Sequence, residues 1–178
     1  MKLITVDASQ FEAFRNNLVD LYITTFSSGQ SFQYHSAEET AAYLQAIFDV
    51  GYGIFAMEEN ELIGAILLTP LSFDKLLPEE IAKNFDVERS VYVAEMMVEK
   101  SKQGQGIGKK LLTLFLEEAD TKRFDHAFIR VWEENEAALF LYKKMGFEVC
   151  ATMAQPKLLA DKSRTVNFEK IYLHKKLN

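Results

Sequence analysis

The sequence predicts an α/β (α+β) protein, a mixed sheet flanked by helices in the order β-α-α-β-β-β-α-β-α-β-β. Three observations predict it. Apolar residues switch repeatedly between the runs expected of strands and the three-to-four-residue spacing of helices. Helix-start signals stand before most of the helical stretches. Glycine and proline punctuate the joins, and no repeat, low-complexity tract or linker composition interrupts the chain. Residues 1–178 therefore read as a single domain, long enough to bury a core.

The elements follow in order. "KLITVD" is a first strand. Ser9 with Glu12 reads as a capping box, opening a helix in which Phe11, Phe14, Leu18, Leu21 and Tyr22 recur at helical spacing as far as about Phe26. Ser36 with Glu39 opens a second helix, with Tyr43, Leu44, Ile47 and Phe48 on one stripe, closed by Gly51 and Gly53. "GIFAMEE" and "ELIGAILLTP" read as a hairpin through Glu58-Glu59-Asn60. Pro70 and Pro78 mark a polar loop with a short helix after Pro78. "VYVAEMMV" is a strand. After a glycine segment, Ile107, Leu111, Leu114 and Phe115 form a helical face ending near Ala119. "HAFIRVW" is another strand. Asn135 caps a helix carrying Ala138, Leu141, Tyr142 and Met145, closed by Gly146. "FEVCATM" and "VNFEKIYLHK" are closing strands joined by a polar loop.

Composition excludes several classes. A net charge of −6 argues against broad nucleic-acid binding and mildly favours cationic partners, although most of it serves solubility. A single cysteine, Cys150, rules out an internal disulfide framework and fits a reducing compartment. The first residues reach Asp7 too soon for a signal-peptide core, and the run Leu62 to Leu68 is too short to span a bilayer. The expectation is a cytoplasmic protein with no membrane or nucleic-acid partner. His35, His126 and His174 show no metal-ligand spacing, so no metal is expected, and Cys150 reads as a small core residue.

The stretch "QGQGIGKK", residues 103 to 110, is the informative one. A dinucleotide fingerprint fails, because the sixth position counted from Gly104 is Lys109 and from Gly106 is Leu111. A P-loop fails at Gln103 and Lys110. A glycine-rich turn before a helix still exposes free backbone N–H groups at a positive dipole end, which suits an anion. Missing side chains at Gly104, Gly106 and Gly108 would let a diphosphate approach the backbone, with Lys109 and Lys110 adding charge. The plain alternative is a tight turn with no ligand.

"QGQGIG" fits the Gln/Arg-x-x-Gly-x-Gly/Ala pattern of the GCN5-related N-acetyltransferase superfamily, and "NEAALFLYKKMGF", residues 135 to 147, fits that family's later Asn-x-x-Ala-x-x-x-Tyr-x-Lys-x-Gly-Phe pattern. The chain resembles this family over nearly its whole length. The resemblance implies a mostly antiparallel central sheet and acetyl-coenzyme A as co-substrate. It further implies direct attack of an amine on the thioester. Cofactor contacts are then expected from Met96, Met97 and Val98 on the strand, and from Gln103, Gly104, Gln105, Gly106, Ile107, Gly108 and Lys109 in the loop. Asn135, Tyr142 and Lys144 are expected to add to them. A backbone amide at Met97 or Val98 would hold the thioester oxygen, and the strand would splay from its neighbour to admit the pantetheine arm. A homodimer is also expected.

Direct transfer requires a neutral amine. An amine of pKa ~10.4 costs roughly 4–5 kcal/mol to deprotonate at neutral pH, so a base is expected. Glu95 is the candidate, a carboxylate inside an apolar strand where charge is costly without a task. The alternatives are pairing with a basic residue or facing solvent at a sheet edge. Tyr142, a phenol still protonated at neutral pH, is the candidate acid for the leaving thiolate, with core packing as the alternative. Asn135 caps a helix in either case. Lys144 is either a phosphate contact or an exposed helix lysine, and Trp132 reads as packing, with lining a pocket as the alternative.

For the acceptor, Phe32, Tyr34 and His35 cluster between the first two helices and would either hold an amine or pack the loop onto the sheet. The segment from Pro70 to Phe85 would form another wall. The acceptor is expected to be a primary amine of a small molecule or a peptide. The alternative to an enzyme is a regulatory protein that binds coenzyme A without turnover.

Overall fold

The strands Lys2–Val6 (β1), Tyr52–Glu58 (β2), Glu61–Pro70 (β3), Ser90–Val98 (β4), His126–Trp132 (β5), Glu148–Leu158 (β6) and Thr165–Lys176 (β7) pair into one sheet. Its order is β1-β2-β3-β4-β5-β7-β6, and every neighbouring pair is antiparallel except β4 and β5. The helices are Ala8–Ser27 (α1), Ala37–Val50 (α2), Glu79–Asn84 (α3), Ile107–Glu118 (α4) and Glu136–Lys144 (α5). The computed structural model describes residues 1–27, 34–120, 122–159 and 161–177.

Local chemistry explains the joins. The β2–β3 hairpin turns through Glu59 and Asn60, at φ of 50° and 70°, the doubly left-handed turn whose twist suits a two-residue hairpin. Ser36 caps α2, accepting a hydrogen bond from the Glu39 amide at 3.2 Å. The box expected at Ser9 and Glu12 forms two residues earlier. Asp7 Oδ1 accepts from the Ser9 amide at 2.9 Å, while Gln10 Oε1 accepts from the Asp7 amide at 3.2 Å. An Asp-x-x-Gln pair does the same work as Ser-x-x-Glu and lies closer to the strand end.

Two layers cover the sheet. On one face α4 and α5 bury Ile66, Val93, Leu111, Phe115 and Tyr142 in a common core. On the other, α1 and α2 cover the β1–β4 half, with the Phe11 and Phe48 rings stacked at 4.4 Å. The segment from Leu71 to Asn84, including α3, covers the β5-β7-β6 half through Leu71 and Ile81. This second face thus has two separate covers that meet over β4 and β5.

Candidate active site

The β4–β5 ladder ends at the pair Val93–Ile129, yet β4 runs on to Val98 and β5 to Trp132. Beyond Val93 the two strands part, and the edge of β4 that faces β5 is left without a partner strand. The expected splay is present. On its other edge β4 still pairs with β3 through Ile66–Met96, Ala65–Met97 and Gly64–Val98. The Met97 side chain is buried under α1 and α2, so only its backbone can face a ligand.

A bulge sets the direction of Glu95. Leu67 and Leu68 are consecutive, but their partners are Glu95 and Val93, so Ala94 is the extra residue. Strand residues alternate between faces, and one inserted residue reverses everything after it. Glu95 therefore shares the face of Leu67, under α1 and α2, instead of that of Val93. There Tyr43 of α2 donates a hydrogen bond to its Oε1 at 2.9 Å. Burial is the main influence on the carboxyl and raises its pKa, while the Tyr43 hydrogen bond and the charges of Lys157, Arg130 and Lys170 pull the other way. Glu95 keeps partial access to solvent, and among the described residues it makes no ion pair.

Tyr142 comes from the other layer. It is buried on α5 in the core shared with α4. Burial first, and the Glu95 charge second, raise its phenol well above the ordinary value, so it keeps its proton at neutral pH. The two groups stand on opposite faces and sense one another across the opening between β4 and β5.

The glycine segment leads into α4. Gly104 and Gly106 sit at φ of 76° and 77°, where side chains are disfavoured, and a Cβ at either would meet nothing within 4 Å. Gly106 is the N-cap of α4 and supplies no capping side chain; the first backbone bond of the helix runs from the Lys110 amide to the Gly106 carbonyl. The amides of Ile107, Gly108 and Lys109 are thus without an intrahelical acceptor. Gln103 and Gln105 brace the turn, donating from Nε2 to the Val98 and Ser101 carbonyls at 3.1 and 3.3 Å. Gly108 differs from its neighbours. A Cβ there would point inward and make ordinary contact with Met96, Leu141 and Val98. Lys109 and Lys110 are exposed.

Asn135 caps α5, its Oδ1 accepting from the Ala138 amide at 3.2 Å. Lys144 is exposed one turn beyond Phe140, its Nζ 5.8 Å from that ring. Of the acceptor cluster, Phe32 lies outside the described residues. Tyr34 donates its amide to the Leu158 carbonyl at 2.9 Å and lies under Lys162 Nζ, 4.1 Å from the ring centre. His35 packs edge-on against Tyr22 at 5.0 Å. Burial, with help from Lys157, lowers its imidazole pKa to about 4, so the ring is neutral at neutral pH. Trp132 stacks on Phe168 at 4.6 Å, as packing. Among the described residues no group of three or more His, Cys, Asp or Glu is placed to hold a metal ion.

Sequence reasoning missed five neighbours of Glu95: Tyr22, Tyr43, Arg130, Lys157 and Lys170. The signal that marked Glu95 was available for Arg130, a charge inside the apolar run "HAFIRVW". Arg130 donates to Asp74 Oδ1 and to the Tyr172 hydroxyl, each at 3.1 Å, and Tyr172 donates to Asp74 Oδ2 at 2.8 Å. That buried triad ties the segment after β3 to β5 and β7.

The description of the acetyltransferase (GNAT) family matches residues 15–147. The chain belongs to that family. Within the curated proteins, the L-amino acid N-acyltransferase MnaT of Escherichia coli is 31% identical over 121 residues, covering 67% of this chain and 63% of that protein. The match thus spans less than two thirds of the relative's length. Solved structures agree on the fold. A ribosomal-protein-alanine N-acetyltransferase from Brucella melitensis superposes with a TM-score of 0.73 at 18% identity, covering 99% of this chain and all of that one. A GNAT superfamily phosphinothricin acetyltransferase from Sinorhizobium meliloti, solved with acetyl-coenzyme A, gives 0.71 at 16% identity, covering 99% and 88%. Both structures thus share the overall fold of this chain.

Proposed function

We propose that the protein is an acetyl-coenzyme A-dependent N-acetyltransferase that moves an acetyl group directly to a primary amine of a small molecule or peptide. The observation that carries this reading is the opening between β4 and β5, with Glu95 on one side, Tyr142 on the other and the uncapped start of α4 at its end. The residues fit the co-substrate. Open space over Gly104 and Gly106 and free amides at Ile107, Gly108 and Lys109 suit a pyrophosphate. The unpaired edge of Met96, Met97 and Val98 suits an amide-bearing pantetheine arm.

Acetyl-coenzyme A supplies an activated acyl carbon. The chain's groups do the rest. Glu95, made more basic by burial and still reachable by solvent, accepts a proton from the amine through water. The amine nitrogen then bonds to the acyl carbon as the C–S bond breaks, and the excess proton left on that nitrogen passes through water to replace the one Tyr142 gives up. A backbone amide of Met97 or Val98 holds the carbonyl oxygen, and Tyr142 donates its proton to the departing sulfur. Asn135 and Lys144 line the cofactor side of α5, and Tyr34 and His35 the acceptor side. The single thiol, Cys150, suits the reducing cytoplasm as the place of work.

The test is thiol release from acetyl-coenzyme A across amino acids, polyamines, aminoglycosides and short peptides, with calorimetry of cofactor binding beside it. Turnover on one amine class establishes the enzyme. Tight binding without turnover on any class would replace it with a regulatory coenzyme A-binding protein, and no binding at all would sink the site assignment.

A further inference from the structure

The acceptor face carries more positive charge than the acidic chain would suggest. Register fixes which strand residues share the face of Glu95. Tyr172 lies in the core under α3, and its partner across the ladder is Arg130. Lys170, two residues before Tyr172, is on the same face and pairs with Met153 of β6, which packs on the same core. Four residues beyond Met153, Lys157 is on that face again, opposite Val166. Arg130, Lys157 and Lys170 thus rise from β5, β6 and β7 towards one carboxylate, Glu95.

These cations are not equally occupied. Arg130 is committed to Asp74 and Tyr172. Lys157 and Lys170 are half-buried, and among the described residues neither makes an ion pair or a hydrogen bond. Lys170 Nζ lies 5.4 Å from the Phe168 ring centre, which is itself stacked on Trp132. Half-burying two unpaired ammonium groups on one face of the sheet opposes folding, and natural chains seldom keep such an arrangement without an anion to satisfy it. The cost is visible in the groups themselves. Burial, and then the Lys157 and Arg130 charges, lower Lys170 to about 8; burial also lowers Lys157. His35 and Tyr22, across the opening, bear no charge at neutral pH and offer no counter-ion.

We propose that Lys157 and Lys170 form an anion subsite, and that the natural acceptor is a small primary amine carrying a carboxylate or phosphoryl group, held with its amine towards Glu95. This rests on the transferase reading above and narrows it. A polyamine or aminoglycoside, cationic throughout, would be repelled by the same pair.

The experiment compares an L-amino acid, its decarboxylated amine and the matching aminophosphonate as acceptors, in the wild type and in K157Q, K170Q and the double variant. Both exchanges remove desolvated charge, so the variants are expected to fold, and unchanged acetyl-coenzyme A affinity by calorimetry checks it. The wild type should prefer an anionic acceptor, and the aminophosphonate shows whether carboxylate or phosphoryl fits better. Each exchange should lower kcat/KM for the preferred acceptor ~10- to 100-fold, mostly through KM, in line with loss of a charge-assisted bond. The decarboxylated amine should lose clearly less, and whatever loss both acceptors share reports the effect of the two charges on Glu95, not on the acceptor. Variants that treat charged and uncharged acceptors alike, or a wild type that prefers the decarboxylated amine, would overturn the proposal. Calorimetric binding of the N-acetyl amino acid is a readout that needs no turnover. Its loss in the double variant supports the subsite even if no amine is acetylated, whereas equal binding in wild type and double variant overturns it while leaving the transferase reading intact.

Discussion

Glu95→Gln should make the protein more stable and nearly inactive, and both effects follow from one carboxylate. The group has been taken largely out of water, accepts a hydrogen bond from Tyr43 at 2.9 Å, and makes no ion pair among the described residues. Its pKa is raised in the folded state, so its favourable contribution is fully present below the unfolded value and is lost as pH rises through the folded one. Each tenfold change in acidity corresponds to about 1.4 kcal/mol. Glutamine keeps an oxygen for Tyr43 and never ionises. The variant should therefore gain on the wild type steadily as pH rises from 4 to 8. In a chain of this size each kcal/mol gained raises Tm by about 2–4 °C. Denaturant melts of both proteins from pH 4 to pH 8 measure it directly. In the same pair, kcat/KM should fall by about 10²–10⁴, and the wild-type rate should rise with pH through a value above the ordinary carboxylate range. A stability difference that stays flat with pH would show that Glu95 is not desolvated. Unchanged turnover would end its assignment as base.

Other perturbations separate the remaining parts. Tyr142→Phe removes a hydroxyl with no hydrogen-bond partner among the described residues, so stability should change by less than about 1 kcal/mol, while kcat falls about 10²-fold or more if it is the acid; calorimetry and steady-state rates report the two. Gly106→Ala meets no atom but must hold φ at 77°, costing about 1–2 kcal/mol and weakening coenzyme A binding. Gly108→Ala, inside α4 with ordinary contacts, should stabilise by about 0.5–1 kcal/mol; equal melting points for the two would refute the assignment of strain. Asp74→Ala strands Arg130 and should cost about 3–5 kcal/mol in a urea melt. For a carboxylate-bearing acceptor, KM should climb above pH 8 as Lys170 loses its proton, and K170Q should lack that limb.

The parts of this molecule that were legible in the sequence are those governed by neighbours along the chain. Helical stripes, the Glu59-Asn60 hairpin, the Asn135 cap and the glycines before α4 are all set within a few residues, and they stand where spacing put them. The capping box at Asp7 slipped by two residues because two overlapping pairs carry nearly the same chemistry. What periodicity could not supply was the insertion of β7 between β5 and β6, because strand order is decided by packing between distant segments. Without that order Lys157 and Lys170 have no visible relation to Glu95. Nor does alternation along β4 give the right face for Glu95, because the bulge at Ala94 reverses it. The acid surplus of the whole chain pointed towards cationic partners, yet the side chains around the base are cationic themselves. Net charge describes the outer surface that water sees, whereas selectivity is set by the few charges a fold gathers inside one opening. Here the fold gathers three, from β5, β6 and β7, around a carboxylate on β4.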